Sequence, residues 1–289
     1  MRVLAIGECM VELAPTGVDA QFSMGFAGDT MNTAWYLARI SDFEVSYFTA
    51  IGTDAVSDRM ADFLSGAGIG TQSLLRLPDR TVGLYMIELK DGERSFAYWR
   101  GQAAAKLLAR DEAALARALA QADVAYFSGI TLAILAPEDR ARLLAALKAF
   151  DGKVIFDTNL RPRLWADVAE MCEGVTAAAA VADLVLPSYD DEAVYFGDAD
   201  PEATARRYTA PEVIVKNGGG EVLARVGDEI TRHSLPKLDA PVDTTAAGDS
   251  FNAGFLAARL AGASVGEAIA RGHDVASQVI MARGALVAI

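Results

Sequence analysis

Short apolar runs recur along the chain at residues 3–6, 45–51, 124–128, 154–157, 184–186 and 213–216, with stretches of helical periodicity between them. Runs this short, rich in Val, Ile, Leu and Phe and with little polar alternation, are what strands buried on both faces look like. Their alternation with helices predicts an α/β fold: a mostly parallel central sheet with helices on both faces. Near the end of the chain, residues 248 to about 261 read as an apolar helix rich in small residues, and residues 265–282 as a second helix packed beside it. Several strand runs close on polar or glycine-bearing turns, as in Ile51-Gly52-Thr53-Asp54, Phe156-Asp157-Thr158-Asn159 and Val215-Lys216-Asn217-Gly218-Gly219-Gly220. Ligands of open α/β sheets gather at such strand ends.

One region breaks the rhythm. Residues 81–89 and 93–100 are two β-prone runs joined by Lys90-Asp91-Gly92, and an Asp-Gly between such runs signals a hairpin. Alternation puts Arg94, Phe96, Tyr98 and Arg100 on one face and Ser95, Ala97 and Trp99 on the other. An amphipathic hairpin leaving an α/β core reads as a small β flap, or as an ornamental hairpin or dimer contact.

Composition narrows the partners. The 289 residues carry a net charge of -13, with 52% hydrophobic and 22% charged residues, which suits a folded protein and repels nucleic acid and anionic lipid. A small anionic ligand would need local amides or cations to bind at all. Cys9 and Cys172 lack the spacing of a zinc site or a disulfide framework, and His233 and His273 lack metal-ligand spacing. No run reads as a signal segment or membrane span, so a cytoplasmic location is expected.

The segment 243–251 leads from a loop into a helix start, with Ala246, Ala247 and Gly248 small enough to let their amides approach a ligand. The first turn of a helix offers unpaired N–H groups and partial positive charge. Asp249 beside them can complement the helix dipole in an ordinary capped start, or accept a proton from a hydroxyl while the amides hold a transferring anion. These residues alone fit either reading.

Asp243-Thr244-Thr245-Ala246-Ala247-Gly248-Asp249 resembles the second signature of the ribokinase-like (PfkB) carbohydrate kinases, Asp-Thr-x-Gly-Ala-Gly-Asp. Gly28-Asp29-Thr30-Met31-Asn32 is similar to that family's sugar-binding Gly-Gly-x-x-x-Asn, and Ile51-Gly52-Thr53-Asp54 follows in family order. The matches run from Gly7 to Gly284. The resemblance implies one ribokinase-like α/β domain over residues 1–289, with a small β-sheet lid from about residues 9–27 and 78–105. It implies ATP and Mg²⁺, leaves a monovalent cation open, and implies a homo-oligomer formed through the lid. Gly7-Glu8-Cys9-Met10, Tyr98-Trp99-Arg100, Ser128-Gly129-Ile130 and the run from Asn159 through Arg161 to Trp165 are most similar to the branch that phosphorylates 2-keto-3-deoxygluconate at its 6-hydroxyl.

Carried onto this sequence, the family's catalytic base is Asp249, with Ala246, Ala247 and Gly248 as its anion hole. The sugar would meet Gly28, Asp29, Thr30, Met31, Asn32, Tyr85, Tyr98, Trp99, Arg100, Ile130 and Arg161. The nucleotide would meet Asn159, Arg161, Ser188, Lys216, Gly218, Gly219, Gly220 and Glu221 as well as the anion hole. An acidic sugar in so acidic a protein needs a local cation, which Arg100 and Arg161 could supply by converging on it. Arg161 could equally be tied up in an ion pair with an acid such as Asp157, and the glycine run could be a plain turn between strands. Two departures stand out. Ala246 replaces a glycine, and since alanine at positive φ costs about 1 kcal/mol, a negative φ is expected there. The Asn-x-x-Glu motif that organises metal-bound water survives only as Ser188-Tyr189-Asp190-Asp191, leaving Asp191 as the water-mediated metal contact. A kinase for a neutral ketose or a nucleoside, and a catalytically silent sensor, remain the alternatives.

Overall fold

The computed structural model describes all residues except 91–92 and 238–239, so the Asp91-Gly92 turn lies outside the described residues, as does the side chain of Arg94. The large sheet has eight strands in the order Glu229–Ser234, Glu221–Val226, Glu212–Asn217, Leu184–Val185, Lys153–Asp157, Val124–Ser128, Arg2–Ile6 and Glu44–Phe48. From Glu212–Asn217 to Glu44–Phe48 every neighbour is parallel; the first two strands pair antiparallel. The predicted run at 45–51 divides, and Ala50–Ile51 pairs instead with Leu75–Arg76. The antiparallel edge, Glu221–Val226 and Glu229–Ser234, carries more polar residues than the central strands, which is why the apolar-run criterion did not register it.

Alternate residues on each central strand enter different cores. Val3, Ala5, Val124, Tyr126 and Ile155 join one cluster with Met31, Leu37, Phe255 and Ile269 from the helices Asp29–Ile40, Ala247–Leu260 and Val265–Val279. Leu4, Ile6, Ala125, Phe127 and Phe156 join the other, against Leu115, Leu143 and Val175 of the helices on the opposite face. Both faces are therefore dry, which explains the near-continuous apolar strands. No helix of the described residues is long and apolar enough to cross a membrane.

A separate four-stranded sheet runs in the order Phe22–Ala27, Met10–Pro15, Leu84–Lys90 and Glu93–Trp99. Its last pair sets Tyr85 opposite Tyr98. The rings of Tyr85, Phe96 and Tyr98 gather on one face, with Tyr85 and Tyr98 5.9 Å apart. Phe96, Tyr98 and Trp99 are exposed.

Candidate active site

Strands Arg2–Ile6, Val124–Ser128 and Lys153–Asp157 end side by side, and the helices Asp29–Ile40 and Ala247–Leu260 begin above them. The loop into the second helix is held by Asp243, whose carboxylate accepts from the Thr245 amide at 3.0 Å, the Thr245 hydroxyl at 2.7 Å and the Gly284 amide at 2.8 Å. Ala246 then adopts φ 58°, ψ 18°. The negative φ expected there is therefore wrong. Three hydrogen bonds to one carboxylate over-determine the loop, and a left-handed residue is needed to turn it into the helix, so alanine bears the strain of about 1 kcal/mol. The Ala247 amide donates to Thr244 O at 3.2 Å, whereas the amides of Gly248 and Asp249 find no acceptor among the described residues. The unpaired donors thus begin one residue later than the sequence suggests.

Asp249 lies half-buried on the first turn. Asn32 Nδ2 donates to its carboxylate at 2.8 Å, and the Thr33 hydroxyl donates to its main-chain oxygen at 3.2 Å. Burial, and next the charge of Asp29, push the Asp249 carboxyl up to about 8, against the opposing pull of the Asn32 bond and Lys216. Asp29 is itself raised, chiefly by burial, although it accepts from Asn159 Nδ2 at 2.7 Å and from the Thr30 amide at 2.8 Å. Asn159 holds φ 30°, another left-handed residue at a strand end.

Lys216, expected beside the nucleotide, belongs to a network whose other members the sequence reading did not assign to the site. Lys216 Nζ reaches Asp157 Oδ1 at 3.3 Å and Asn252 Oδ1 at 3.1 Å. Asn252 Nδ2 reaches Asp157 Oδ2 at 2.9 Å and Tyr126 OH at 3.2 Å, and Tyr126 OH meets the Thr33 hydroxyl at 3.1 Å. A β-carbon built on Gly248 would stand 4.0 Å from Lys216 Nζ, so the ammonium lies close to the helix start. Two signals were present in the chain. Asp157 closes an apolar strand at its carboxyl end, and Asn252 lies one helical turn from Asp249 among small and apolar neighbours.

The remaining predicted residues divide. Asn32 faces Asp249, but Thr30 and Met31 are fully buried; the Thr30 hydroxyl is on Tyr47 OH at 2.8 Å and Met31 packs in the core. Gly28 is required by close approach, since a β-carbon there would lie 2.2 Å from Glu8 O. Arg100 is not free: Nε and Nη2 both meet Glu8 Oε2 at 2.5 Å. Arg161 does not pair with Asp157, which belongs to Lys216; it lies 3.7 Å from Asp191 and bonds Leu160 O. The two arginines are thus engaged with different partners and are not seen to converge. Tyr85 OH donates to Glu12. Ile130 and Ser188 are half-buried. Gly218 and Gly219 both have positive φ in the hairpin between Glu212–Asn217 and Glu221–Val226, so turn geometry suffices to explain them, and Glu221 faces Arg232.

Residues 1–288 match the pfkB family carbohydrate kinases. The chain is 43% identical to the 2-dehydro-3-deoxygluconokinase of Escherichia coli K12, over 99% of this chain and 97% of that one. It is 41% identical to the 2-dehydro-3-deoxygluconokinase of Dickeya dadantii, over 99% and 96%. The crystal structure of a PfkB protein from Polaromonas sp. JS666 superposes with a TM-score of 0.85 at 26% identity, covering 97% of this chain and 96% of that one. With the large mixed sheet, the separate small sheet and the acid at the helix start, these likenesses place the chain in the pfkB family of carbohydrate kinases, as a sugar kinase of ribokinase-like fold.

Proposed function

We propose that the chain transfers the γ-phosphoryl group of ATP to the 6-hydroxyl of 2-keto-3-deoxygluconate, giving 2-keto-3-deoxy-6-phosphogluconate and ADP. The observation that carries this reading is Asp249: a carboxylate raised to about 8, held by Asn32 beside two unpaired amides and near Lys216. The choice of sugar is supported by the 43% and 41% identity to kinases of that acid.

In the proposed reaction Asp249 takes the proton of the 6-hydroxyl, the oxygen forms its bond to the γ-phosphorus in line, and the bond to the departing ADP breaks. The amides of Gly248 and Asp249 receive the phosphoryl oxygens, and Lys216 adds positive charge nearby. Asn159, Arg161, Ser188 and the 216–221 hairpin line the nucleotide's side. Magnesium would supply charge neutralisation across the phosphates. Asp191, 3.7 Å from Arg161, would be the residue that meets such an ion through a water. The small sheet acts as the lid, bringing Tyr85, Tyr98 and Arg100 over the sugar and excluding water. Its exposed Phe96, Tyr98 and Trp99 are where two copies would meet.

A phosphorylation screen over keto-deoxy acids, fructose and nucleosides tests the reading. Preference for a six-carbon keto-deoxy acid is the expected result; faster turnover of fructose or a nucleoside would overturn it.

A further inference from the structure

We propose that Glu8 is a positioning residue for substrate recognition, holding the Arg100 guanidinium so that its unused edge meets the carboxylate of the acid sugar. This rests on the acid-sugar reading above.

Glu8 follows the strand Arg2–Ile6 at its carboxyl end and is 2% exposed. Arg100 directly follows the small-sheet strand Glu93–Trp99. Their bond therefore ties the two sheets together across the cleft. Both Nε and Nη2 converge on the single oxygen Oε2. A guanidinium has five N–H donors in a rigid plane, so occupying the Nε edge leaves the Nη1/Nη2 edge with the fork geometry a second carboxylate accepts. The cleft is close by: Glu8 O packs against Gly28, whose amide donates to Asn32 Oδ1 at 3.3 Å, and Asn32 holds Asp249.

Stability does not account for this pair. A buried ion pair seldom outperforms a hydrophobic replacement, and here the other carboxylate oxygen, Glu8 Oε1, is buried with no hydrogen-bond partner among the described residues. An unsatisfied buried acceptor is destabilising. A β-carbon at Gly83 would lie 2.8 Å from that same oxygen, so only a glycine just before the strand Leu84–Lys90 leaves room for the carboxylate. A site that accepts this cost while fixing the arginine's plane is arranged for recognition.

The test is a double-mutant cycle of Glu8→Gln and Arg100→Met, assayed on 2-keto-3-deoxygluconate and on fructose, with thermal melts as a check on folding. Glu8→Gln is nearly isosteric and should raise KM for the acid sugar about tenfold, with kcat and the KM for ATP within about twofold. In the Arg100→Met background the same change should move KM by less than about twofold, because the group being positioned is gone. An equal effect with and without Arg100, or a parallel rise in the KM for ATP, would overturn the role of Glu8. Wild-type enzyme showing no preference for the acid over fructose would instead overturn the acid-sugar reading itself.

Discussion

The two ends of the large sheet carry the same chemical groups in opposite electrostatic states. At the amino ends of the strands, Arg2 donates to Asp123 from both its amide, at 2.8 Å, and its side chain, at 2.5 Å. That pair is open to water, and the arginine's hydrogen bond holds the Asp123 carboxyl down to about 2. At the carboxyl ends, buried Asp249 feels the charges of Asp29 and Asp157 with only Lys216 and the Asn32 bond opposing them, and it rises to about 8. Where water reaches, pairing decides; where it does not, desolvation and like charge win. The first arrangement satisfies the fold, and the second holds a carboxyl poised near neutral pH, the range that the proposed proton abstraction needs.

Removing the Asp249 carboxylate breaks the contrast most severely. Asp249→Asn should lower kcat by about 10³-fold or more while the protein still binds ATP, as read by steady-state assay and calorimetry. In the wild type, kcat/KM should fall about tenfold per pH unit below about 8, as the carboxylate takes up its proton. Lys216→Met removes the cation close to the helix start and should cost about 10²-fold in kcat.

Smaller effects concern stability, and here the two ends should answer with opposite signs. A carboxyl whose folded pKa is raised binds its proton more tightly when folded, so stability is lost as pH rises from the unfolded value of about 4 toward about 8. Asp249→Asn escapes that loss. Its melting temperature should exceed the wild type's by a few °C, on the order of 1 kcal/mol or more, with the gap widening from pH 4 to pH 8. Ala246→Gly should raise the melting temperature by about 2 °C by relieving the left-handed alanine. Smallest of all, Asp123→Asn should lower the melting temperature slightly above pH 4, an effect that fades as pH falls toward 2 and as salt is added. A gain in stability from Asp123→Asn would erase the distinction between the two ends.

Much of this was legible in the chain. The parallel strands announced themselves because both their faces are buried, and the two final helices by their apolar periodicity. Residues 246–248 and Asp249 lie within a few residues of one another, so a helix start beside an acid was legible, although the left-handed turn at Ala246 was not. Asn32 was singled out as a sugar contact through its place in the Gly28–Asn32 run, but its bond to Asp249, 217 positions away, shows only in the structure. The antiparallel edge was harder to see because its strands carry exposed polar residues.

What the sequence determined by itself is most of the elements, their order, and which loop leads an acid into a helix start, because propensity, burial pattern and helix-start chemistry act over a few residues. Only the tertiary structure decided how charges combine. Asp157 goes to Lys216, 59 positions on, and Glu8 goes to Arg100, 92 positions on. Ala246 turns left-handed because Asp243 gathers both Thr245 and the distant Gly284 amide. Such pairings follow from which strand ends the sheet places side by side, and desolvation at that junction sets the state of every acid there.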